Sequence, residues 1–170
     1  MKTRIVKHPS NDAVLVTLHP AQPEDEPFLF EVYASTRLDE VAAWGWNAAQ
    51  QQAFLRMQFS AQQRTYPLES WQDDHWIILL NERRIGRIII FRTEDELRLA
   101  DIALLPEYRN AGIGTLLIQD LLAEAAAVGK PVRLRVLQSN SAAARLYERL
   151  GFVKIGESDS HFQMEWRPHP

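Results

Sequence analysis

Leu97-Arg98-Leu99-Ala100-Asp101-Ile102-Ala103-Leu104-Leu105-Pro106-Glu107-Tyr108-Arg109-Asn110-Ala111-Gly112-Ile113-Gly114-Thr115, running on to Val128, is the stretch from which the rest of the chain can be read. It reads as an apolar strand, a stop at Pro106, a turn carrying two glycines, and an amphipathic helix over 113–128 with Ile113, Leu117, Leu121, Ala125 and Val128 on one face. Glycine lets the main chain lie close to a ligand. The first helical turn leaves its N–H groups unbonded, and the helix dipole adds roughly +0.5 charge at that end. Strand, glycine turn and helix together describe an anion site. Two familiar phosphate loops are excluded. A P-loop needs Lys-Ser/Thr after its last glycine, and Gly114 is followed by Thr115-Leu116; a dinucleotide fingerprint closes on a third small residue, and that position is Leu117. What remains is Arg-x-x-Gly-x-Gly over Arg109–Gly114.

Upstream, residues 13–18 read as a strand ended by His19-Pro20. Pro23-Glu24-Asp25-Glu26 starts a helix reaching Ser35, with Phe28, Val32 and Tyr33 as its buried stripe. Residues 36–47 are irregular and carry Trp44-Gly45-Trp46. A second helix over 47–63 places Ala49, Ala53, Phe54 and Met57 at helical spacing, with glutamines elsewhere. Asp73-Asp74-His75 reads as a solvated turn rather than a metal site. Strands at 76–80, 85–92 and 97–105 follow, joined by tight turns into an antiparallel meander, with Gly86 suggesting a bulge. Beyond the central helix, Gly129 caps and Pro131 blocks continuation. A strand over 132–137 then implies a parallel crossover pair. Ser139-Asn140-Ser141 caps a helix over 142–150 that Gly151 closes, and strands at 152–155 and 161–166 end the chain.

A chain of 170 residues suits a single domain over 1–170. Hydrophobic content of 46% and charged content of 24% are those of an ordinary globular protein. The net charge of −3 and the absence of a basic run argue against a nucleic-acid partner. The sequence has no cysteine, hence no disulfide, thiolate nucleophile or cysteine metal site, and its five histidines lack metal-site spacing. No metal is expected. No apolar run is long enough for a signal peptide core or a membrane span, so a soluble cytoplasmic protein is the expectation.

A second motif, Asn140-Ser141-Ala142-Ala143-Ala144-Arg145-Leu146-Tyr147-Glu148-Arg149-Leu150-Gly151-Phe152, follows at a sensible separation. The two motifs, with the order of elements, resemble the GNAT superfamily of N-acetyltransferases. The resemblance implies an α/β (α+β) fold: a mixed, mostly antiparallel sheet, splayed at the cofactor cleft between the strand ending at Leu105 and the strand at 132–137, flanked by about four helices. It implies that acetyl-CoA is the acyl donor. Its pantetheine arm would pair with the backbone at Leu104 and Leu105. Its pyrophosphate would sit on the amides of Arg109, Asn110, Ala111, Gly112, Ile113, Gly114 and Thr115. Asn140 would contact the cofactor besides capping its helix. The Tyr147 hydroxyl would lie near the thioester sulfur, to protonate the departing thiolate or hold a hydrogen bond to it.

The resemblance implies acetyl transfer to a primary amine on a small molecule or peptide by direct attack in a ternary complex. An amine of pKa ~10.4 costs roughly 4–5 kcal/mol to deprotonate at neutral pH. A general base supplies part of this, and such groups give roughly 10²–10⁴-fold. Where relatives carry a base on the strand before the glycine turn, this chain has Arg98 and Ala100, so Asp101 is the nearest acid. Glu31, Asp39, Glu40, His161 and Glu165 are further candidates. The oxyanion donor in the family is a backbone N–H near Leu104. Trp44 and Trp46 fall where the family receives its acceptor, and read either as core or as a wall of that pocket. The segment Phe162–Trp166 alternates apolar and polar residues, and by analogy with the family suggests a homodimer paired through it. Two rival readings stand beside turnover of acetyl-CoA: a coenzyme A-binding sensor or interaction domain without turnover, and transfer of a different acyl group.

Overall fold

The computed structural model describes residues 4–7, 15–65 and 74–168. Residues 13 and 14 of the expected first strand, and Asp73, lie outside them. Among the described residues eight strands form one sheet in the order β1-β2-β3-β4-β5-β6-β8-β7. They are β1 Arg4–Lys7, β2 Leu15–Pro20, β3 His75–Leu80, β4 Arg83–Arg92, β5 Leu97–Leu104, β6 Val132–Leu137, β7 Val153–Glu157 and β8 His161–Trp166. The helices among the described residues are α1 Glu26–Ser35, α2 Leu38–Ala42, α3 Ala48–Thr65, α4 Ile113–Val128 and α5 Ser141–Arg149. The mixed, mostly antiparallel sheet expected from the sequence is present. β1 and α2 were not anticipated: a four-residue strand and a five-residue helix are too short to show a period. The chain forms two compact units, Met1–Arg87 with Ala103–Arg109, and Ile88–Ile102 with Asn110–Pro170, so β4 and β5 contribute residues to both.

In the first unit, Pro23–Asp25 makes a short 3-10 turn and α1 follows, as its proline and acids predict. The core gathers Leu29, Phe30 and Tyr33 of α1, Val41 of α2, Leu55 and Phe59 of α3, and Ile77 of β3. Phe59 meets the rings of Phe30 and Tyr33 at centroid distances of 5.6 and 5.5 Å. The expected phase of α3 is corrected: Leu55 and Phe59 point inward, Ala49 and Ala53 outward, and Met57 is 61% exposed. Glutamines share the inward face, which disguised it. Gln58 is half-buried and its Oε1 accepts from the Tyr33 hydroxyl at 3.3 Å. Asn81 and Glu82 join β3 to β4 with φ of 47° and 69°, the positive pair that a two-residue hairpin of the primed type uses. At Gly86 β4 lies close against the end of β5, and a Cβ there would stand 2.2 Å from the Ala103 carbonyl oxygen. His75 is no solvated turn: it opens β3 and is buried. Burial, then the Arg87 guanidinium, pushes its pKa down to about 3, so the ring is neutral at physiological pH.

In the second unit, α4 buries Ile113, Leu116, Leu117, Ile118, Leu121, Leu122 and Ala125. Val128, expected on that face, is exposed in the last turn before Gly129, whose φ of 68° ends the helix. β5 and β6 pair in parallel at Leu97↔Val132, Arg98↔Arg133 and Leu99↔Leu134, and beyond these three pairs the strands part. β8 is bonded to β6 along one edge and to β7 along the other. Phe162–Trp166 therefore has no open edge to offer a second copy, which corrects the pairing suggested by its alternation. Among the described residues no helix is long and apolar enough to cross a membrane.

Candidate active site

The glycine turn is built in three steps. Pro106–Tyr108 forms a 3-10 turn in which the Arg109 N–H donates to the Pro106 carbonyl at 3.2 Å. Asn110 then adopts φ 59° and Gly112 φ 80°, one left-handed residue on each side of Ala111. Asparagine and glycine tolerate that region best. Gly112 is the N-cap of α4 and supplies no side chain to it; the Leu116 N–H closes the first helical bond on the Gly112 carbonyl at 3.0 Å. Among the described residues the amides of Asn110, Ala111, Gly112, Ile113, Gly114 and Thr115 meet no protein acceptor. Such a run of N–H groups curled by left-handed residues at a helix start is an anion nest. Gly114 has no positive φ, and among the described residues no atom beyond its chain neighbours and its own helical turn stands within 4 Å of where its Cβ would be. The protein itself does not require glycine there, whereas a ligand lying against the main chain does. The loop fits a diphosphate.

The strand before the turn is more committed than its sequence suggests. The Leu105 N–H donates to the Ile85 carbonyl at 2.9 Å, and the Leu105 carbonyl accepts from Tyr108 at 3.0 Å. The Leu105 N–H is thus engaged within the chain. The Leu104 carbonyl accepts the Arg109 Nε at 2.9 Å and keeps a second lone pair.

α5 carries the second motif. Asn140 Oδ1 accepts the Ala143 N–H at 3.1 Å, the expected N-cap, which leaves the side-chain NH₂ as its outward donor. Seven residues on, Tyr147 is 8% exposed, and its ring meets Phe152 edge-on at 5.7 Å. Burial, and secondly the carboxylate of Asp101, push the Tyr147 phenol up to about 12. The hydroxyl is therefore a proton-bearing donor throughout the neutral range. Asp101, half-buried on β5, is brought within electrostatic reach of Tyr147. Strand alternation alone left the direction it faces open.

The other candidate bases fare differently. Glu165 is buried on β8. Burial would raise its pKa, but hydrogen bonds from Arg133 and Arg167 outweigh this and hold it down. It belongs to a ladder in which Arg133 bridges Glu165 at 2.8 Å and Glu96 at 2.6 Å, while Arg98 also pairs with Glu96 at 2.6 Å. The register places Arg98, Arg133 and Glu165 side by side on three strands. Sequence separation hid this network. His161 Nδ1 lies 2.7 Å from Ser160 Oγ. Glu31, Asp39 and Glu40 are exposed on α1 and α2. Trp44 and Trp46 are 43% and 39% exposed and pack edge-to-face with each other and with Phe54, at centroid distances of 5.0 to 5.3 Å. They form a surface aromatic cluster rather than core. Among the described residues no group of three metal-ligating side chains comes together.

Comparison with known proteins gives three kinds of match. The family model for the acetyltransferase (GNAT) family matches residues 31–152. The [ribosomal protein bS18]-alanine N-acetyltransferase of Haemophilus influenzae is 37% identical over 79 residues, covering 46% of this chain and 53% of that enzyme, so the chain spans about half of the curated relative it matches. The PaiA N-acetyltransferase of Thermoplasma acidophilum, solved in complex with coenzyme A, superposes with a TM-score of 0.69 at 22% identity, over 89% of this chain and 98% of that one. The ribosomal-protein-S18-alanine N-acetyltransferase of Escherichia coli superposes with a TM-score of 0.60 at 21% identity, over 89% and 93% of the two chains. At these identities the structures establish likeness of fold.

Proposed function

The chain belongs to the acetyltransferase (GNAT) family, and from that premise we propose that it transfers an acetyl group from acetyl-CoA to a primary amine by direct attack in a ternary complex. The observation that carries this reading is that, among the described residues, the six amides of Asn110–Thr115 meet no protein acceptor, with Gly114 leaving the main chain bare among them. These amides hold the diphosphate, Leu104 pairs with the pantetheine arm, and Asn140 adds its side-chain donor. Arg109 frames the loop, since its own amide closes the 3-10 turn.

In the transfer, the amine nitrogen forms a bond to the thioester carbonyl carbon and the C–S bond breaks. The oxyanion donor is a main-chain N–H near Leu104; the Leu105 N–H, bonded to Ile85, is not it. Asp101 receives the amine proton, directly or through water, and passes it to solvent. The tyrosine's part is decided by magnitude. A phenol at about 12 facing a thiolate whose conjugate acid has pKa ~8.5 would transfer its proton uphill by about 5 kcal/mol. Tyr147 therefore serves as a hydrogen-bond donor to the sulfur as charge develops, and the thiolate takes its proton from water.

The test is release of free thiol from acetyl-CoA across a panel of small amines and peptides. Peptides belong in the panel because the Haemophilus influenzae relative is named for acting on ribosomal protein bS18. Acceptor-dependent release supports the reading; acetyl-CoA binding without release under any acceptor leaves the sensor reading in its place. Propionyl-CoA and longer donors, run beside acetyl-CoA, decide the acyl group.

A further inference from the structure

Within the first unit a recess of about 280 Å³ opens between strands β2, β3 and β4 and the 3-10 turn that leads into α1. Its floor is apolar: Pro20 of β2 with Ile77 and Leu79 of β3. His19 shares that face, because it is the register partner of Ile77. The turn Pro23–Asp25 supplies Glu24 and Asp25 to the wall, and β4 supplies Arg84. Both oxygens of Asp25 are engaged. Its Oδ1 takes one terminal nitrogen of Arg84 at 3.1 Å, and its Oδ2 accepts the Gln22 N–H at 3.0 Å. The Arg84 guanidinium also stands 5.9 Å from the centroid of the Phe28 ring. The arginine is therefore oriented from two sides, while the edge formed by its Nε and second terminal nitrogen meets no acceptor among the described residues. The Glu24 carboxylate and the His19 ring likewise have no hydrogen bond or ion pair among the described residues.

We propose that this recess binds a free α-amino acid with an aliphatic side chain, as a ligand that is not itself acetylated. The charges select the class. A simple anion drawn to Arg84 would meet the Glu24 carboxylate, and a simple cation drawn to Glu24 would meet the guanidinium. A zwitterion satisfies both. Its carboxylate takes two parallel N–H bonds from the open edge of Arg84, and its ammonium donates to Glu24. The His19 imidazole carries an N–H in either tautomer and gives the carboxylate a further donor. The side chain lies on Pro20, Ile77 and Leu79, where its methylenes leave water. Size agrees: sites for drug-sized ligands run from about 300 to 1,000 Å³, so a recess of about 280 Å³ suits a molecule of amino-acid size. An ammonium paired with a carboxylate is held in its protonated form, which cannot attack a thioester, so the amino acid is no acceptor here. The lining shares no residue with the glycine turn or with the Asn140–Phe152 motif, and the inference stands independently of the acetyl-CoA reading.

The test is calorimetric titration of the full chain with L-leucine, without acetyl-CoA, beside three probes that each remove one feature. Isocaproate lacks the ammonium, leucinamide lacks the carboxylate, and glycine lacks the side chain. Leucine binds at millimolar concentration or below, and each probe binds about tenfold or more weakly than leucine. E24Q weakens leucine by about tenfold and abolishes its advantage over isocaproate. R84Q abolishes the advantage over leucinamide. Glu24 is exposed and holds no partner among the described residues, so E24Q keeps the test open should R84Q not fold. No heat with leucine at millimolar concentration overturns the inference, as does equal binding of leucine by wild type, E24Q and R84Q. Isocaproate or leucinamide bound as tightly as leucine overturns the zwitterion, and glycine bound as tightly overturns the apolar floor. Acetyl-leucine formed on adding acetyl-CoA, and lost in E24Q, makes the recess the acceptor's seat and overturns its reading as a site for an unreacted ligand. Absence of leucine binding leaves the acetyl-CoA reading standing, since the titration contains none of that molecule.

Discussion

Substitution at Gly114 separates what the fold needs from what the ligand needs. The residue lies in the first turn of α4 with no positive φ, and among the described residues an added Cβ meets no atom within 4 Å beyond its chain neighbours and its own helical turn. Alanine there reduces the freedom of the unfolded chain without adding strain, so Gly114→Ala stabilises the protein by about 0.5–1 kcal/mol. For a chain of this size that raises Tm by about 1–4 °C. The effect on acetyl-CoA has the opposite sign and grows with the side chain. A leucine covers the main chain where the diphosphate would lie and costs at least one charge-assisted hydrogen bond, about 1.5–3 kcal/mol. Gly114→Leu therefore weakens acetyl-CoA binding by roughly ten- to hundredfold, with Gly114→Ala in between. Thermal unfolding and isothermal titration calorimetry on the three proteins measure both quantities. A Gly114→Leu protein that is folded and binds acetyl-CoA like the wild type would mean that the glycine serves no ligand.

Three further outcomes follow from the geometry. Tyr147→Phe lowers kcat by about ten- to hundredfold, the value of a hydrogen bond to a charged sulfur, with little change in acetyl-CoA affinity. Because the phenol sits at about 12, the wild-type rate shows no descending limb up to pH 10; a fall below that pH would mean the hydroxyl titrates in range. His75 makes stability pH-dependent. Its folded pKa of about 3 lies below the ordinary value of 6.5, so the unfolded chain takes up the proton first, and stability falls as pH drops from 6.5 towards 3. This group contributes a slope of up to about 1.4 kcal/mol per pH unit, and urea titrations of His75→Gln should show that slope flattened. Gly86→Ala forces a Cβ to within 2.2 Å of the Ala103 carbonyl oxygen, and overpacking of this kind costs about 3 kcal/mol, read as a lower denaturation midpoint at unchanged m-value.

Legibility in the sequence followed the range of the signal. α4, β6 and β8 lie where the sequence put them, because their stops are local: Pro106 and Gly112 before the helix, Gly129 after it, Pro131 before β6. α3 was found and turned the wrong way, because half-buried Gln58 occupies a place where apolar spacing looks for a large hydrophobe. The anion loop was legible as a motif, and its open amides and the empty space above Gly114 fit that motif. The destination of the Arg109 side chain was not, since Ser35 lies 74 residues away and only folding brings it near. Nor was the proximity of Asp101 to Tyr147, which depends on how β5 and α5 are placed within one unit rather than on strand alternation. The ladder of Glu96, Arg98, Arg133 and Glu165 likewise exists only through cross-strand register. It removed Glu165 from the candidate bases.

The most direct measurement is a titration of the isotopically labelled protein with acetyl-CoA, followed through its backbone amide resonances. The largest shifts are expected at Asn110, Ala111, Gly112, Ile113, Gly114 and Thr115. If those six resonances stay in place while others move, or if none responds at millimolar ligand, the loop does not hold the diphosphate.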